Sequence, residues 1–433
     1  MANARRAVPS LSFNGKNAST QLANYLQSVA YTDVASGGSD QLNITLQNID
    51  GRWLDKWYPT KGDKIKGSIQ FQNWEASGKT LSLSCGTFIL DEIRFSGGPM
   101  TASFGSLSVP SNASFRTRER TKTWKNVTIK QIQTEIGKRY SLKALYSGPS
   151  YTIKELEQSQ QNDSEFLYSL CKDYGLCLKV YNTTLVIFDP IAMEKKKAVA
   201  TLTRKSFVND EWEYTDALLG TYTGARISYK NPNKDSSNTN EKDISIYVGL
   251  IAENASGSRV LRINGTCDSQ ADAYVKAAAQ VNEANRQATT LSATIWANPK
   301  ISAGVCVKIS GMGKANGKYY VDQVETEVGG SGSTMKIEAH KVQKTLSTTP
   351  QAPAASKKQE SKSYKAGDVV NFHGGTHYVS SWPGAKGYSA RAGKAKITLG
   401  PDCAGNGKAH PWHLIHTDSG SNVYGWVDEG TFD

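Results

Sequence analysis

The sequence predicts a β-rich α+β chain of several domains, and three observations support this fold class. Its 433 residues, at roughly 100–200 residues per domain, are enough for two to four domains. Alternating apolar runs such as Leu42 to Leu46 and Leu81 to Cys85 are typical of antiparallel strands. Turn residues rich in glycine separate these runs. We therefore predict two β domains that flank a small α+β insert, followed by a small β-barrel.

The first 115 residues carry most of the short alternating runs. One helix is predicted to interrupt them at about Ser19 to Gln27, and Trp53 to Trp57 is predicted to form a short helical turn. We expect this segment to form a β domain.

The pattern changes from Asn126 onwards. Thr128 and Gln131 have the spacing of a capping box, which predicts a helix that begins at this point. A second helix is predicted to open at Asp163 and to end at Gly175. A hairpin with a turn at Asn182 follows, so this segment is predicted to be an α+β insert.

The residues after the insert return to strand patterns, with Ala225 to Tyr229 and Ser245 to Ile251 among them. A long helix is predicted from about Ser269 to Ala288. Asn316 and Gly317 then form the strongest hairpin signal of the chain.

The segment from Ser347 to Ser363 has no aromatic residue and no Val, Ile or Leu, so it is predicted to be a linker. The full division is a first tube-like β domain at 1–115, the insert at 116–198, a second tube-like β domain at 199–345, the linker at 346–363 and a small β-barrel at 364–433.

Composition excludes several classes of protein. No apolar stretch approaches the roughly 18–20 residues that a membrane span needs, and no apolar segment follows the arginines near the start, so no secretory signal is expected. Six cysteines without a CxxC pair argue against a disulfide scaffold and a structural zinc module. We predict a protein made in a reducing cytoplasm, without a cofactor.

Histidines are concentrated in the last 70 residues, which hold five of the six in the chain: His373, His377, His410, His413 and His416. Their spacing does not place ligands on one helix face, and no HExxH motif occurs. Hydrogen-bonded structural histidines, ligand-binding histidines and a zinc site remain open, and we predict neither a metal nor a catalytic residue.

The same segment is rich in aromatic residues. Tyr378, Trp382, Trp412 and Tyr424 are candidates for binding cell wall or peptide through exposed rings. Packing in the core is the favoured alternative for Trp412, and both interpretations stay open for Tyr378 and Trp382.

The net charge of +12 raises the question of nucleic acid as a partner. Arg116, Arg118, Arg120 and Lys122 alternate with other residues, which predicts a basic stripe on an assembly surface if they lie on one strand. A solvated surface is the alternative. No base-stacking motif or recognition helix accompanies them, so we expect no sequence-specific binding of nucleic acid.

The chain up to about residue 345 resembles the baseplate hub proteins of contractile phage tails, the late control gene D family, in the type found in Gram-positive prophages and phage-tail-like bacteriocins. The motifs that carry this resemblance are Tyr31-Thr-Asp, Asp50-Gly-Arg-Trp, Trp57-Tyr-Pro, Lys61-Gly-Asp, Asn162-Asp-Ser-Glu-Phe-Leu, Tyr174-Gly-Leu, Asn298-Pro, Gly317-Lys-Tyr-Tyr and Ile337-Glu-Ala-His-Lys.

This resemblance implies a structural protein and not an enzyme. In that family, two barrel domains mimic two tail-tube subunits, so that a homotrimer adapts the six-fold tube to the three-fold spike. The implied partners are the tail tube protein, the spike protein, the baseplate wedge and the tape-measure protein. The implied location is the baseplate of a phage or phage-tail-like particle.

The last 70 residues resemble the SH3-like domains of Gram-positive phage tail proteins and wall hydrolases, through Tyr364-Lys-Ala-Gly-Asp, His413-Leu-Ile-His and Val423-Tyr-Gly-Trp-Val-Asp. This second resemblance implies an alternative function, in which the chain is a tail protein that targets peptidoglycan through this module and has the bacterial cell wall as a further partner.

Overall fold

The computed structural model describes residues 4–74, 76–108, 114–181, 183–230, 244–330, 332–350 and 364–433. It contains two compact units, Met1–Pro353 and Ala354–Asp433. We refer below to the first β region (6–107), the insert (114–194), the second β region (200–341) and the C-terminal unit (364–433).

Strands dominate the first β region. Its elements are β1 (Arg6–Phe13), β2 (Lys16–Asn17), α1 (Ser19–Leu22), β3 (Leu26–Val34), β4 (Gln41–Gln47), β5 (Lys64–Gln72), β6 (Thr80–Ser96) and β7 (Thr101–Leu107).

The insert mixes helices and strands. Its elements are α2 (Ser114–Thr117), β8 (Glu119–Thr128), α3 (Ile129–Arg139), β9 (Lys143–Ser147), β10 (Thr152–Asn162), α4 (Asp163–Asp173), β11 (Cys177–Tyr181), β12 (Thr184–Phe188) and α5 (Pro190–Glu194).

The second β region has one long helix among its strands. Its elements are β13 (Ala200–Leu202), β14 (Phe207–Asp216), β15 (Gly224–Tyr229), β16 (Ile244–Gly249), β17 (Val260–Gly265), α6 (Gln270–Arg286), β18 (Thr289–Trp296), β19 (Cys306–Ile309), β20 (Gly317–Gly329) and β21 (Gly332–Lys341).

One 13-stranded sheet runs through both β regions in the order β14-β18-β21-β20-β3-β4-β7-β6-β5-β1-β2, with β13 and β19 attached at β20. A single apolar core lies behind it and takes side chains from both regions, among them Ile44, Phe88, Val324 and Ile337. Backbone pairing and apolar burial therefore join the two β regions directly.

The strands predicted at 225–229 and 245–251 form, but they do not enter this sheet. β15, β16 and β17 make a separate three-stranded sheet in the order β16-β15-β17. Ala277 and Val281 of α6 share a buried core with Ile227 of β15. This helix covers the sheet because its small side chains allow close approach.

The insert contains two small sheets, β10-β8 and β11-β12-β9. The predicted capping box is present, because the Gln131 backbone N–H donates to Thr128 Oγ1 and the Thr128 N–H donates to Gln131 Oε1. The Asn162 side chain caps α4, and Gly175 after that helix has a φ of 66°.

The C-terminal unit is one six-stranded sheet in the order β22-β25-β26-β27-β23-β24. These strands are β22 (Val369–Phe372), β23 (Gly375–Tyr378), β24 (Gly387–Ala390), β25 (Gly393–Leu399), β26 (Trp412–His416) and β27 (Tyr424–Val427). Its core contains Phe372, Ile397, Leu414 and Val427.

The predicted β-rich multidomain fold is confirmed. The helix predicted at 19–27 is wrong in length, because α1 ends at Leu22 and the alternating burial of β3 begins at Leu26. The turn predicted at Trp53 to Trp57 is a 3₁₀ turn at Arg52–Leu54.

The first residues of the predicted linker 346–363 are packed. Leu346 and Thr348 are buried, and the Asn282 side chain exchanges two hydrogen bonds with the Leu346 backbone. The Tyr151 hydroxyl donates to the Thr348 carbonyl at 2.8 Å. Composition missed these hydrogen bonds because backbone groups of Leu346 and Thr348 make them. Residues 351–363 and the predicted turn residue Asn182 lie outside the described residues; the other domain boundaries stay predictions.

Across the described ranges, no helix is both long enough and apolar enough to cross a membrane.

Candidate assembly surfaces

The junction between the two β regions is an antiparallel strand pair. β20 and β3 pair over seven residues, from Gln323 with Val34 to Gly329 with Ser28. Side chains of both strands alternate, and Val29, Tyr31, Val324 and Val328 enter the common core. Asp33 and Thr326 are buried on the same side, whereas Thr32, Glu325 and Glu327 point to the opposite face of the sheet.

That opposite face is polar and extends across both regions. From β14 to the end of β6 it carries Glu92, Glu213, Glu325, Glu327, Glu338, Arg94 and Lys336, and on β5 it carries Lys64 and Lys66. Small or amide side chains such as Thr32, Asn43 and Ser103 fill the positions between them. The part of this face from β14 to the end of β6 therefore carries more acidic than basic side chains, although the chain has a net charge of +12.

The predicted basic stripe is divided between several elements. Arg116 lies on α2, where its guanidinium donates to Ser39 Oγ of the first β region. Arg118 is exposed in the short link between α2 and β8. The strand itself begins at Glu119, so these two arginines do not share a strand face with Arg120 and Lys122.

Arg120 and Lys122 do lie on one face of β8, but this face also carries the buried Trp124. Arg120 Nε is 3.2 Å from Asp163 Oδ2. Lys122 forms an ion pair with Glu135, and its Nζ lies 3.8 Å from the centroid of the Trp124 ring. Both charges are therefore engaged within the insert, and their role in an assembly surface stays a prediction.

A buried carboxylate organises the helices of the insert. Arg139 and Tyr140 each place a donor 2.6 Å from Asp163 Oδ2, and Gln158 donates to Oδ1 at 2.9 Å. Burial alone would raise the pKa of Asp163, but these hydrogen bonds hold the pKa below its ordinary value.

A second buried charge joins the insert to the first β region. Lys179 Nζ of β11 lies 2.5 Å from Asp33 Oδ1 and 3.1 Å from Asp40 Oδ1. Burial would lower the pKa of Lys179, but the two carboxylates raise it. Burial raises the pKa of Asp40 to about 6 even though the lysine is adjacent.

A third cluster joins α5, α6 and the second β region. Arg286 Nε lies 2.7 Å from Glu194 Oε1, and His340 Nδ1 lies 2.9 Å from both carboxylate oxygens of Asp322. Burial would lower the pKa of His340, but its hydrogen bonds to Asp322 and Glu194 raise the pKa to about 9. The imidazole is therefore charged at neutral pH, and it lines a cavity of about 460 Å³.

An apolar groove of about 340 Å³ lies on the first β region. Trp53, Trp57, Leu22, Phe13 and Pro59 line it. The predicted site residues did not include this groove, although the spacing of two tryptophans around a turn was a visible signal.

The aromatic candidates of the C-terminal unit occupy different environments. Tyr378 stacks on His410 with ring centroids 3.4 Å apart, whereas Trp382 is 58% exposed. Trp412 packs edge-to-face against Tyr364 and Phe432 beside the core. A role of these candidates in binding stays a prediction.

Tyr424 is 64% exposed and lies 6.0 Å from the ring of His413, which is 5.3 Å from Trp426. His377 and Tyr388 form a further ring pair at 6.2 Å. Within the described residues, no ring contact joins any two of the four candidates. Sequence reasoning missed the grouping of Tyr424 with His413 and Trp426, which the alternation along β26 and β27 would have indicated.

No group of three or more His, Cys, Asp or Glu side chains within the described ranges is placed to hold a metal ion. Burial raises the pKa of Cys85 and Cys177 to about 12, so both are thiols at neutral pH.

The chain matches both curated proteins and solved structures. No family model matches the chain. The chain is 26% identical over 225 residues to the probable baseplate hub protein of Escherichia phage 186, covering 51% of this chain and 55% of the relative. It is 25% identical over 228 residues to that of Escherichia phage P2, with the same coverage of 51% and 55%. The predicted resemblance to phage baseplate hub proteins is confirmed.

The chain spans about half the length of these curated hub relatives. Solved structures show the same fold over a larger part of this chain. The 43 kDa tail protein of prophage MuSo2 from Shewanella oneidensis matches 77% of this chain and 98% of its own, with a TM-score of 0.56 and 13% identity. A tail protein from Neisseria meningitidis MC58 matches 78% and 97%, with a TM-score of 0.58 and 11% identity. The Gram-positive type and the SH3-like module stay predictions.

Proposed function

We propose that this protein is a structural baseplate hub of a contractile phage tail or phage-tail-like particle. The observation that carries the proposal is the sheet that passes from one β region into the other through β3 and β20. A chain built in this way presents two β units side by side, as an adapter between six-fold and three-fold symmetry requires. The curated relatives, which are named as probable baseplate hub proteins, support the same function.

In this proposal the chain forms a homotrimer that contacts the tail tube and the spike, with baseplate wedge and tape-measure proteins as further neighbours. It acts through interfaces and not through bond chemistry. The three buried charge clusters support this interpretation because each has a structural role: Asp163 holds the helices of the insert together, Lys179 fixes the insert to the first β region, and Glu194 with Arg286 fixes α5 to α6. Synthesis in the bacterial cytoplasm and assembly into the particle complete the proposal.

Purified particles test the proposal. The mass of the isolated chain and the protein content of tail baseplates are measured together. We expect the chain in the baseplate fraction and a mass of three copies. A chain that is strictly monomeric and absent from particles contradicts the proposal.

The alternative function, binding of peptidoglycan through the C-terminal unit, has no support from the names of the relatives. Sedimentation of the full chain with wall sacculi separates it from the hub proposal. Retention that falls in Tyr424→Ala and Trp382→Ala, and not in the partly buried Trp412→Phe, would favour wall binding.

A further inference from the structure

Several strand edges of the large sheet, that of β1 from Arg6 to Ser10 among them, have no partner among the described strands, and two of these edges, on β6 and β14, have directions that fit each other. We propose that these two edges pair with each other between neighbouring copies of the chain and so extend the sheet around a ring. This inference rests on the proposed hub function and names the surface through which its copies meet.

The first free edge belongs to β6, which is long enough to serve two neighbours. From Thr80 to Ile89 it pairs with β5, and from Ile89 to Ser96 it pairs with β7 on its other side. Gly62 and Asp63 exchange backbone hydrogen bonds with Leu90, where the contact with β5 ends. From Glu92 to Ser96 the edge that faces away from β7 therefore has no partner within the described part of the chain.

The second free edge belongs to β14, the first strand in the order of the sheet. β14 pairs with β18 from Trp212 to Asp216, and no described strand pairs with its other side. Unpaired backbone N–H and C=O groups at such an edge are a template for a further strand. Asp210, Glu211 and Glu213 protect it from indiscriminate pairing, as charged residues do on natural edge strands.

Strand direction allows these two edges to join. Between them lie β18, β21, β20, β3, β4 and β7, and each neighbouring pair in the series from β14 to β6 is antiparallel. The series has eight strands, so its first and last strands run in opposite directions. A β14 edge from one copy therefore meets a β6 edge from the next as one more antiparallel pair, with the polar face on the same side.

The same kind of junction already exists inside the chain. β20 of the second β region pairs with β3 of the first over seven residues. A contact between β6 and the neighbour's β14 would repeat this arrangement between copies, because it would pair the first β region of one copy with the second β region of the next. Head-to-tail contacts of this kind produce a closed ring when the rotation between copies closes.

Side chains at the two edges are complementary. On the core side, Trp212 of β14 is 39% exposed, and Ile93 and Phe95 of β6 are half-buried. On the polar face, Glu213 has no ion pair among the described residues, and the Arg94 side chain is 70% exposed in a solvent-exposed ion pair with Glu92. Strand pairing would bury these apolar side chains together and bring opposite charges onto one surface.

Cysteine cross-linking in assembled particles tests the contact. The double variant Glu213→Cys with Arg94→Cys is treated with a short bis-maleimide. We expect covalent dimers and a closed species with the mass of the whole ring. The matched control, Glu213→Cys with Asn43→Cys, places the second thiol on the same face but two strands inside the sheet, and it should give only the background of the single variants. Equal cross-linking in the two double variants overturns the inference.

Hydrogen exchange provides an independent readout without substitution. Backbone amides of 212–216 and 92–96 should exchange about tenfold or more slowly in the assembled ring than in the diluted monomer. If particles contain a ring of the chain and these amides are unchanged, the edge contact is wrong and the hub proposal stands. If particles lack the chain, the hub proposal itself fails.

Discussion

The two β regions are joined in a different way from the insert and its neighbours. Backbone pairing of β3 with β20 and one apolar core connect the β regions. Buried charges connect the insert to both β regions. Lys179 contacts Asp33 and Asp40 of the first β region, and Glu194 contacts Arg286 and His340 of the second. An apolar junction tolerates changes of pH, whereas a charged one depends on every partner and on its protonation.

Loss of a buried partner should have the largest effect. Lys179→Met leaves Asp33 and Asp40 without their cation, and removal of one partner from a buried ion pair costs about 3–5 kcal/mol. We expect a corresponding fall in the urea midpoint of the first unit. Lys125→Met is the matched control, because the exposed Lys125–Glu155 pair is worth less than about 1 kcal/mol. Equal midpoints for the two variants would show that Lys179 does not hold the insert.

The apolar junction should respond to a cavity. Ile44→Ala removes a fully buried side chain from the common core, and such truncations cost about 2–5 kcal/mol. We expect Ile44→Ala to lower the free energy of unfolding by the same amount at pH 6 and at pH 9, as measured by thermal unfolding. A loss that changes with pH over this interval would mean that charge also contributes to the junction between the β regions.

The charged junction should depend on pH with a definite sign. The folded pKa of His340 is raised to about 9 from an ordinary value of 6.5, so its stabilisation is complete below pH 6.5 and is lost as pH rises through 9. We expect a decrease on the order of 1–3 kcal/mol over this range. His340→Gln should remove most of this pH dependence, whereas His416→Gln in the C-terminal unit should leave it unchanged. A wild-type stability that rises from pH 6.5 to 9 would contradict the assignment.

The smallest effect should come from a local feature of the insert. Thr128→Ala removes the capping box of α3, and loss of such a cap costs about 1 kcal/mol. Thr134→Ala in the same helix removes only an exposed hydroxyl that bonds to the Lys130 carbonyl, so it should change stability much less. A larger loss of thermal stability in Thr134→Ala than in Thr128→Ala would contradict this order.

Local patterns in the sequence predict local structure well in this chain. The spacing of Thr128 and Gln131 predicts where α3 begins, and Asn316 with Gly317 predicts the turn that leads into β20. Both depend on residues that are neighbours along the chain. Alternation also predicts the β-rich class, because burial on one face of a sheet imposes a period of two.

Such local patterns do not predict contacts between residues that are far apart along the chain. Lys179 and Asp33 lie 146 positions apart, and nothing near either residue indicates the other. Arg120 and Lys122 have the expected alternation, but the sequence does not reveal that Trp124 turns their face inward. For the same reason β15 and β16 were recognised as strands without any indication that they form a separate sheet against α6.

The strict alternation of strand direction in the series from β14 to β6 also limits what this series can specify. Because the first and last of these eight strands are antiparallel to each other, any number of copies satisfies the backbone pairing equally well. The number of copies must then be set by curvature, through sheet twist and the bulges at 90–92 in β6 and 207–212 in β14. Strand pairing determines which edge of the next copy is contacted. Bending at these irregular positions determines how many copies complete the ring.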